Sequence, residues 1–347
     1  MVCNGLLFFE VINLTKTKAI CKVIEGGEIS DHKSMNFPKK VMSHSYLSAQ
    51  DKKDILFGIQ NDVDYIACSF VSSKSDVISV KKFLAKNGGE NIDIIAKIEN
   101  QTGVDNIDEI LEESDGILIG RGDMGVEIDF KKLPEIQKYL IDKSLKAGKI
   151  VITATEMLES MIYNPRPTRA ETSDVANAVY DGSTAIMLSG ETAMGKHPVL
   201  ATQTMSKIAM QTEKNINYVK TFRNNELGKG SNLDAISRVT VSLAIDTNTK
   251  VICACTKTGR TAKCVAKFHS PVDILGLVTN KKMYNKLSLC WGVKPILTDD
   301  YKTLDNLFQK TKELAKQTYN LKKGDNIIIT GGTGNLVNTN LVKIETI

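Results

Sequence analysis

The chain has 347 residues, enough for two domains with their own cores. Hydrophobic residues make up 42% and charged residues 24%, a globular balance that excludes a largely disordered chain. Formal net charge is +5, with Lys and Arg spread along the chain rather than clustered; this argues against a nucleic-acid surface and suits anionic small molecules.

Seven Cys, an odd count with no C-x-x-C pair, predict reduced thiols and a cytoplasmic location. No apolar run is long enough to span a membrane, and the opening MVCNGLLFFEV lacks the charged start and small-residue cleavage site of a signal peptide. The four His (His32, His44, His197, His269) are too far apart to suggest a metal motif.

Residues 1–40 are rich in strand formers (LLFFEVI, KAICKVI) and reach a Gly26-Gly27 turn, which predicts short antiparallel strands. From about residue 50, strand-like runs alternate with amphipathic stretches such as SDVISVKKFLAK and LPEIQKYLIDKSLKAG. The runs are YIACSF, IDIIAKIE, GILIGRGD, KIVITATEM and AIMLSGE. Each ends on polar chemistry: Ser69; Lys97 and Glu99; Asp123; Thr155; Ser189 and Glu191. The ends recur every 26–36 residues or so, about one βα unit. Polar groups at the C-terminal ends of repeated parallel strands are how a (β/α)8 barrel builds its active site, and five such strands are visible where eight close a barrel. A polar stretch over 213–233 marks a boundary. Beyond it LDAISRVTVSLAIDT, KVICACT and KKGDNIIITGG predict a second α/β domain. The expected fold is therefore α/β: a partial barrel and a separate C-terminal α/β domain.

In AKIEN, Lys97 and Glu99 are two apart on a strand and share a face. Taken alone, a structural salt bridge is an equally good reading. GRGDMG sets two glycines around Arg121 and projects Asp123 from a turn at the next strand end. Together, Glu99 and Asp123 offer two hard carboxylates of the kind that hold Mg2+ with water and phosphate oxygens, and Lys97 and Arg121 add positive charge for an anionic substrate. Thr155 in TATEM and Ser189 in SGET bring hydroxyls to the following strand ends, although a Thr bonded to its own backbone is the commoner case. TKTGRTA, Thr256 to Thr261, lies between a strand and a helix. It suits an anion, or is an ordinary capped turn, and it lacks the spacing of an ATPase phosphate loop. GGTGN at 331–335 lacks the dinucleotide-binding spacing.

The ordered set AKIENQTGVDNIDEILEESDGILIGRGDMGVEI, VITATEMLESMIYNPRPTRAETSDVANAVYDG and AIMLSGETAMGKHPV closely resembles the signature blocks of pyruvate kinase. GGEISDHKSMNFP resembles the return from that family's lid domain to its barrel, and the tail resembles its C-terminal domain. The resemblance implies a lid remnant over 1–40, a partial barrel over 41–215 and a C-terminal regulatory domain over 216–347, with the first three barrel strands, most of the lid and the K+ ligands falling before residue 1. It implies transfer of a phosphoryl group from phosphoenolpyruvate to ADP, giving pyruvate and ATP, with Mg2+ or Mn2+ and K+.

By the same resemblance Lys97 stabilises the transferring phosphoryl group and the enolate, and Glu99 and Asp123 hold the divalent metal. Gly122, Asp123 and Thr155 bind the substrate carboxylate and its metal, while Thr155 with Ser189 protonates the enolate and Arg121 is the active-site arginine. Thr256, Lys257, Thr258, Gly259, Arg260 and Thr261 match the loop that takes a sugar-phosphate effector in many members. A homotetramer is implied; nucleic acid and membrane partners are not.

Three positions depart from the family pattern: Glu156 in place of Gln, Ser72 in place of Arg and Gly120 in place of Ala. The alternatives are a non-catalytic remnant acting as an interaction or regulatory subunit, and an aldolase-type barrel lyase, against which RPTRAE and the C-terminal domain weigh.

Overall fold

A computed structural model describes residues 1–2, 7–29, 31, 35–37, 45–224, 227, 231–301, 303–332 and 338–347. Parts of GGEISDHKSMNFP, of the 213–233 stretch and of GGTGN lie outside the described residues, as do His32 and His44.

Strands β1 (Phe8–Leu14) and β2 (Ala19–Glu25) form an antiparallel pair, Glu10 opposite Lys22 and Val11 opposite Cys21. Their turn is closed by Thr15, whose hydroxyl accepts the Lys18 N–H at 2.9 Å. Both faces of the pair are largely exposed, including Val11, Ile12 and Leu14.

A second sheet follows in the order β3 (Tyr65–Cys68), β4 (Asp93–Ile98), β5 (Gly116–Gly120), β6 (Ile150–Ala154), β7 (Ala185–Met187), with β3–β4 and β4–β5 pairing parallel. Consecutive strands are neighbours because each is followed by helix before the next begins. The helices are α1 (Ala49–Gln60), α2 (Lys74–Lys86), α3 (Gln101–Asp105), α4 (Ile107–Glu113), α5 (Arg121–Glu127), α6 (Leu133–Ala147) and α7 (Arg169–Asp181), then α8 (Gly190–Ala193) and α9 (Pro198–Glu213). All five residues of β5 are buried, the mark of a strand covered on both faces. Ser48 starts α1 with a capping box: its hydroxyl accepts the Asp51 N–H at 3.1 Å and Asp51 accepts the Ser48 N–H at 2.8 Å.

After α10 (Tyr218–Asn224), α11 (Asn232–Asp246) leads into β8 (Val251–Cys255), α12 (Arg260–Ala266), β9 (Ile274–Val278), α13 (Lys281–Leu287) and β10 (Val293–Leu297). The chain continues through α14 (Leu304–Tyr319), β11 (Asn326–Gly331) and β12 (Leu341–Thr346). These strands form a sheet in the order β10-β9-β8-β11-β12, parallel except for the antiparallel β12. VICAC and ILGLV are buried throughout. α11 buries Ser237, Thr240, Val241 and Ala244, one helical stripe.

The chain divides into two compact units: Met1–Lys143, Val151–Asp181 and Ile186–Ile208; and Ser144–Ile150, Gly182–Ala185 and Ala209–Ile347. The six described cysteines are unpaired. Among the described residues no helix is long and apolar enough to cross a membrane.

Candidate active site

Side chains two apart on a strand lie on one face, and the structure brings Lys97 Nζ to 2.8 Å from Glu99 Oε1. Lys97 also donates to Ser69 Oγ at 3.0 Å, just beyond β3, and the Ser69 carbonyl accepts the Tyr46 hydroxyl at 2.7 Å. Glu99 is only 1% exposed, so its charge depends on these partners. Its Oε2 accepts the Phe70 N–H at 2.8 Å. Phe70 has φ 53°, a left-handed conformation uncommon for a bulky residue. Burial raises the Glu99 carboxyl above its ordinary pKa; Lys97 and the Phe70 N–H oppose that rise, and the charge of Asp123 adds to it.

Gly120 ends β5, and a Cβ there would meet Glu99 Oε1 at 2.7 Å and Glu99 Cγ at 2.8 Å. The glycine makes room for the carboxylate of the neighbouring strand. Asp123 does not project from a turn as the GRGDMG motif suggests: β5 runs straight into α5, and Asp123 occupies the helix's first turn. An acidic side chain is favoured there by the N-terminal end of the helix dipole.

Arg121 opens α5. Its Nε and Nη2 donate to the Thr155 carbonyl at 3.1 and 2.6 Å, and its Nη1 donates to Asp174 Oδ1 at 2.8 Å and to Gln137 Oε1 at 3.4 Å. The Gly122 N–H donates to Thr155 Oγ1 at 2.8 Å, and that hydroxyl donates to the Ala154 carbonyl at 2.5 Å. Thr155 and Glu156 are left-handed in succession, φ 69° and 53°. A strained pair of this kind persists only where surrounding contacts hold it. Glu156, the position that departs from Gln, is exposed.

Ser189 precedes α8, and its N–H donates to Glu191 Oε2 at 2.8 Å. Glu191 is fully buried and its Oε1 accepts the Leu158 N–H at 3.0 Å. Glu191 thus ties the segment after β7 to the segment after β6. Ser72, the second departure, accepts the Asn100 amide at 3.0 Å.

The structure therefore joins Lys97 to Glu99 directly, and Arg121 and Gly122 to Thr155. The bracing residues Tyr46, Phe70, Gln137, Asp174 and Leu158 carry no local motif and were not found from sequence; their partners lie 16 to 53 residues away along the chain.

The donor set suits a hard divalent cation. Burial is the main cause of the raised Glu99 pKa and the like charge of Asp123 adds to it; a cation relieves repulsion of that kind. Mg2+ is commonly held through one or two carboxylates with substrate and water completing its shell, and Glu99 and Asp123 would supply two.

In the second unit the Thr256–Thr261 loop follows β8, flanked by β9 on one side and β11 on the other. Gly259 has φ 76°, and a Cβ there would run into Met283 Sδ. Lys257 Nζ pairs with Asp300 Oδ2 at 2.6 Å and the Thr261 and Thr339 hydroxyls meet at 2.7 Å. Thr258 and Arg260 are exposed.

Comparison with known proteins agrees with this arrangement. Residues 1–202 match the pyruvate kinase barrel domain and residues 234–345 the pyruvate kinase alpha/beta domain. The chain is 41% identical to a pyruvate kinase of Clostridium acetobutylicum, over all of this chain and 74% of that protein. It is 44% identical to one of Sporosarcina psychrophila, over 99% of this chain and 60% of that protein. The structure superposes on a pyruvate kinase from Cryptosporidium parvum with a TM-score of 0.92 at 36% identity, covering all of this chain and 71% of the other. These matches give no support to a non-catalytic reading. With both domains matched in order, over residues 1–202 and 234–345, the chain belongs to the pyruvate kinase family.

Proposed function

We propose that this chain moves a phosphoryl group from phosphoenolpyruvate to ADP through the residues gathered after β4, β5 and β6. The observation that carries the proposal is the Lys97–Glu99 pair, 2.8 Å apart and largely out of water beside Asp123. Phosphoryl transfer needs positioning and charge stabilisation more than covalent chemistry from the protein. Lys97 supplies a cation for the transferring phosphoryl group and for the enolate left behind. Glu99 and Asp123 would hold Mg2+ or Mn2+, which when bound offsets negative charge on substrate oxygens. Gly122 and Thr155, already hydrogen-bonded to each other, would receive the substrate carboxylate. The Thr155 hydroxyl, with Ser189, would lie on the path by which the enolate gains its proton. The family uses Mg2+ and K+.

The five-stranded sheet in βα succession supports reading it as the last five strands of a barrel spanning 41–215. The β1–β2 pair supports a lid segment within 1–40, and 216–347 is read as the regulatory domain. The Thr256–Thr261 loop stands where the β8–β9 and β8–β11 directions diverge, the place where open α/β sheets take ligands. That placement supports a sugar-phosphate site formed by Thr256, Lys257, Thr258, Gly259, Arg260 and Thr261. Homotetrameric assembly and a cytoplasmic location are the family's expectation for this chain.

The test is pyruvate formation from phosphoenolpyruvate and ADP with Mg2+ and K+, using Lys97→Ala as the blank for host enzyme. Turnover lost in Lys97→Ala supports the proposal. Turnover equal in both proteins, or absent from folded wild-type chain, refutes it.

A further inference from the structure

We propose that Asp174 is a positioning residue for the reaction, acting through Arg121 on Thr155. The inference rests on the place given above to Thr155. Two left-handed residues in succession, Thr155 and Glu156, follow β6 where an unconstrained chain would avoid them. The Thr155 carbonyl accepts two N–H groups of the Arg121 guanidinium, at 3.1 and 2.6 Å, so its peptide plane is held from one side by a single charged fork. Arg121 is itself only 11% exposed and needs a counter-charge.

Asp174 provides it. Its Oδ1 lies 2.8 Å and its Oδ2 2.7 Å from Arg121 Nη1. Gln137 Oε1 adds a weaker contact at 3.4 Å. Asp174 stands on α7, where the next residue, Val175, is fully buried in a cluster with Met157, Leu158 and Met161. α7 is therefore fixed against the very segment whose strained start Arg121 holds. The chain of contacts runs from Asp174 to Arg121, to the Thr155 carbonyl, and through the Thr155 hydroxyl to the Gly122 N–H at 2.8 Å. Removing the Asp174 charge leaves Arg121 to find another partner, and the Thr155 hydroxyl drifts from the reacting centre. Misplacement of a group at the reacting centre lowers the rate of the chemical step.

The test pairs two readouts on the full chain. The first is hydrogen exchange at the Gly122 amide and across 153–157 in Asp174→Asn, with the amides of β3 and β4, in the same compact unit, as the control for unfolding of that unit. The expected result is at least tenfold faster exchange at Gly122 with the controls unchanged; unchanged exchange at Gly122 overturns the proposal, and so does equal acceleration everywhere. The second is a double-mutant cycle on turnover with Asp174→Asn and Thr155→Ala. Asp174→Asn is expected to lower kcat at least tenfold with the phosphoenolpyruvate KM within twofold, and to cost nothing further in the Thr155→Ala background. Additive losses overturn the proposal, because they show that Asp174 does not act through Thr155. If Thr155→Ala alone leaves turnover intact, the catalytic place of Thr155 fails, while the exchange measurement still decides whether Asp174 holds that turn.

Discussion

A Cβ on Gly120 would lie 2.7 Å from Glu99 Oε1, closer than real Cβ contacts come. The last residue of β5 and the residue just past β4 thus share one volume, which the glycine leaves to the carboxylate. Gly120→Val fills it. The expected outcome is Mn2+ binding weakened at least tenfold, measured by titration against the free-ion signal, with the unfolding of the C-terminal unit unchanged. Unaltered Mn2+ affinity would show that the Glu99 position does not depend on this space.

Lys97→Met tests the other side of the same carboxylate. Burial already raises the Glu99 pKa, and Lys97 is the first influence opposing it. Without Lys97 the folded-state pKa climbs further above the unfolded value. The folded state then binds more protons than the unfolded one, so stability is greatest at low pH and falls as pH rises through the folded pKa. Urea midpoints measured from pH 5 to 8 are expected to fall more steeply in Lys97→Met than in the wild type. Parallel profiles would mean that Lys97 does not control Glu99 ionisation.

His269 carries a pH dependence of the opposite sense. Its ring stacks on Trp291 with centroids 4.2 Å apart, and its Nε2 is enclosed without a hydrogen-bond partner. Burial pushes its pKa down from 6.5 to about 4. Between those values the unfolded chain takes up a proton that the folded chain refuses, so stability rises with pH across this window and is fully present above it. The full effect is about 3–4 kcal/mol, from the roughly 1.4 kcal/mol that each pKa unit represents. His269→Phe is expected to flatten the dependence of the urea midpoint between pH 4 and 6.5; an unchanged slope would assign it to other groups.

The loop after β8 is testable by binding alone. A sugar bisphosphate that binds only the folded chain raises the unfolding temperature according to its concentration and affinity. The expected result is a concentration-dependent rise in wild-type protein that is lost in Arg260→Ala and in Lys257→Ala, which also breaks the pair with Asp300. No rise in the wild type with a panel of sugar mono- and bisphosphates would refute an effector site here.

The local pattern of the chain by itself determined a good deal. Apolar runs flanked by amphipathic stretches mark the strands β3 to β7, and KVICACT and KKGDNIIITGG mark β8 and β11; where a strand is covered on both faces, as in β5 and β8, the run is buried throughout. The two-residue period of a strand specifies that Lys97 and Glu99 meet, and they do at 2.8 Å. Neither rule reaches across strands. That Asp123 lies in a helix, that Gly120 yields its space to Glu99, that Phe70 turns left-handed with its N–H on the same carboxylate, and that Asp174 holds Arg121 from 53 residues away were decided only when the chain folded. These contacts join residues whose spacing along the chain has no period. Their energies come from burying charges that must then find partners, a demand set by tertiary packing and not by neighbours in sequence.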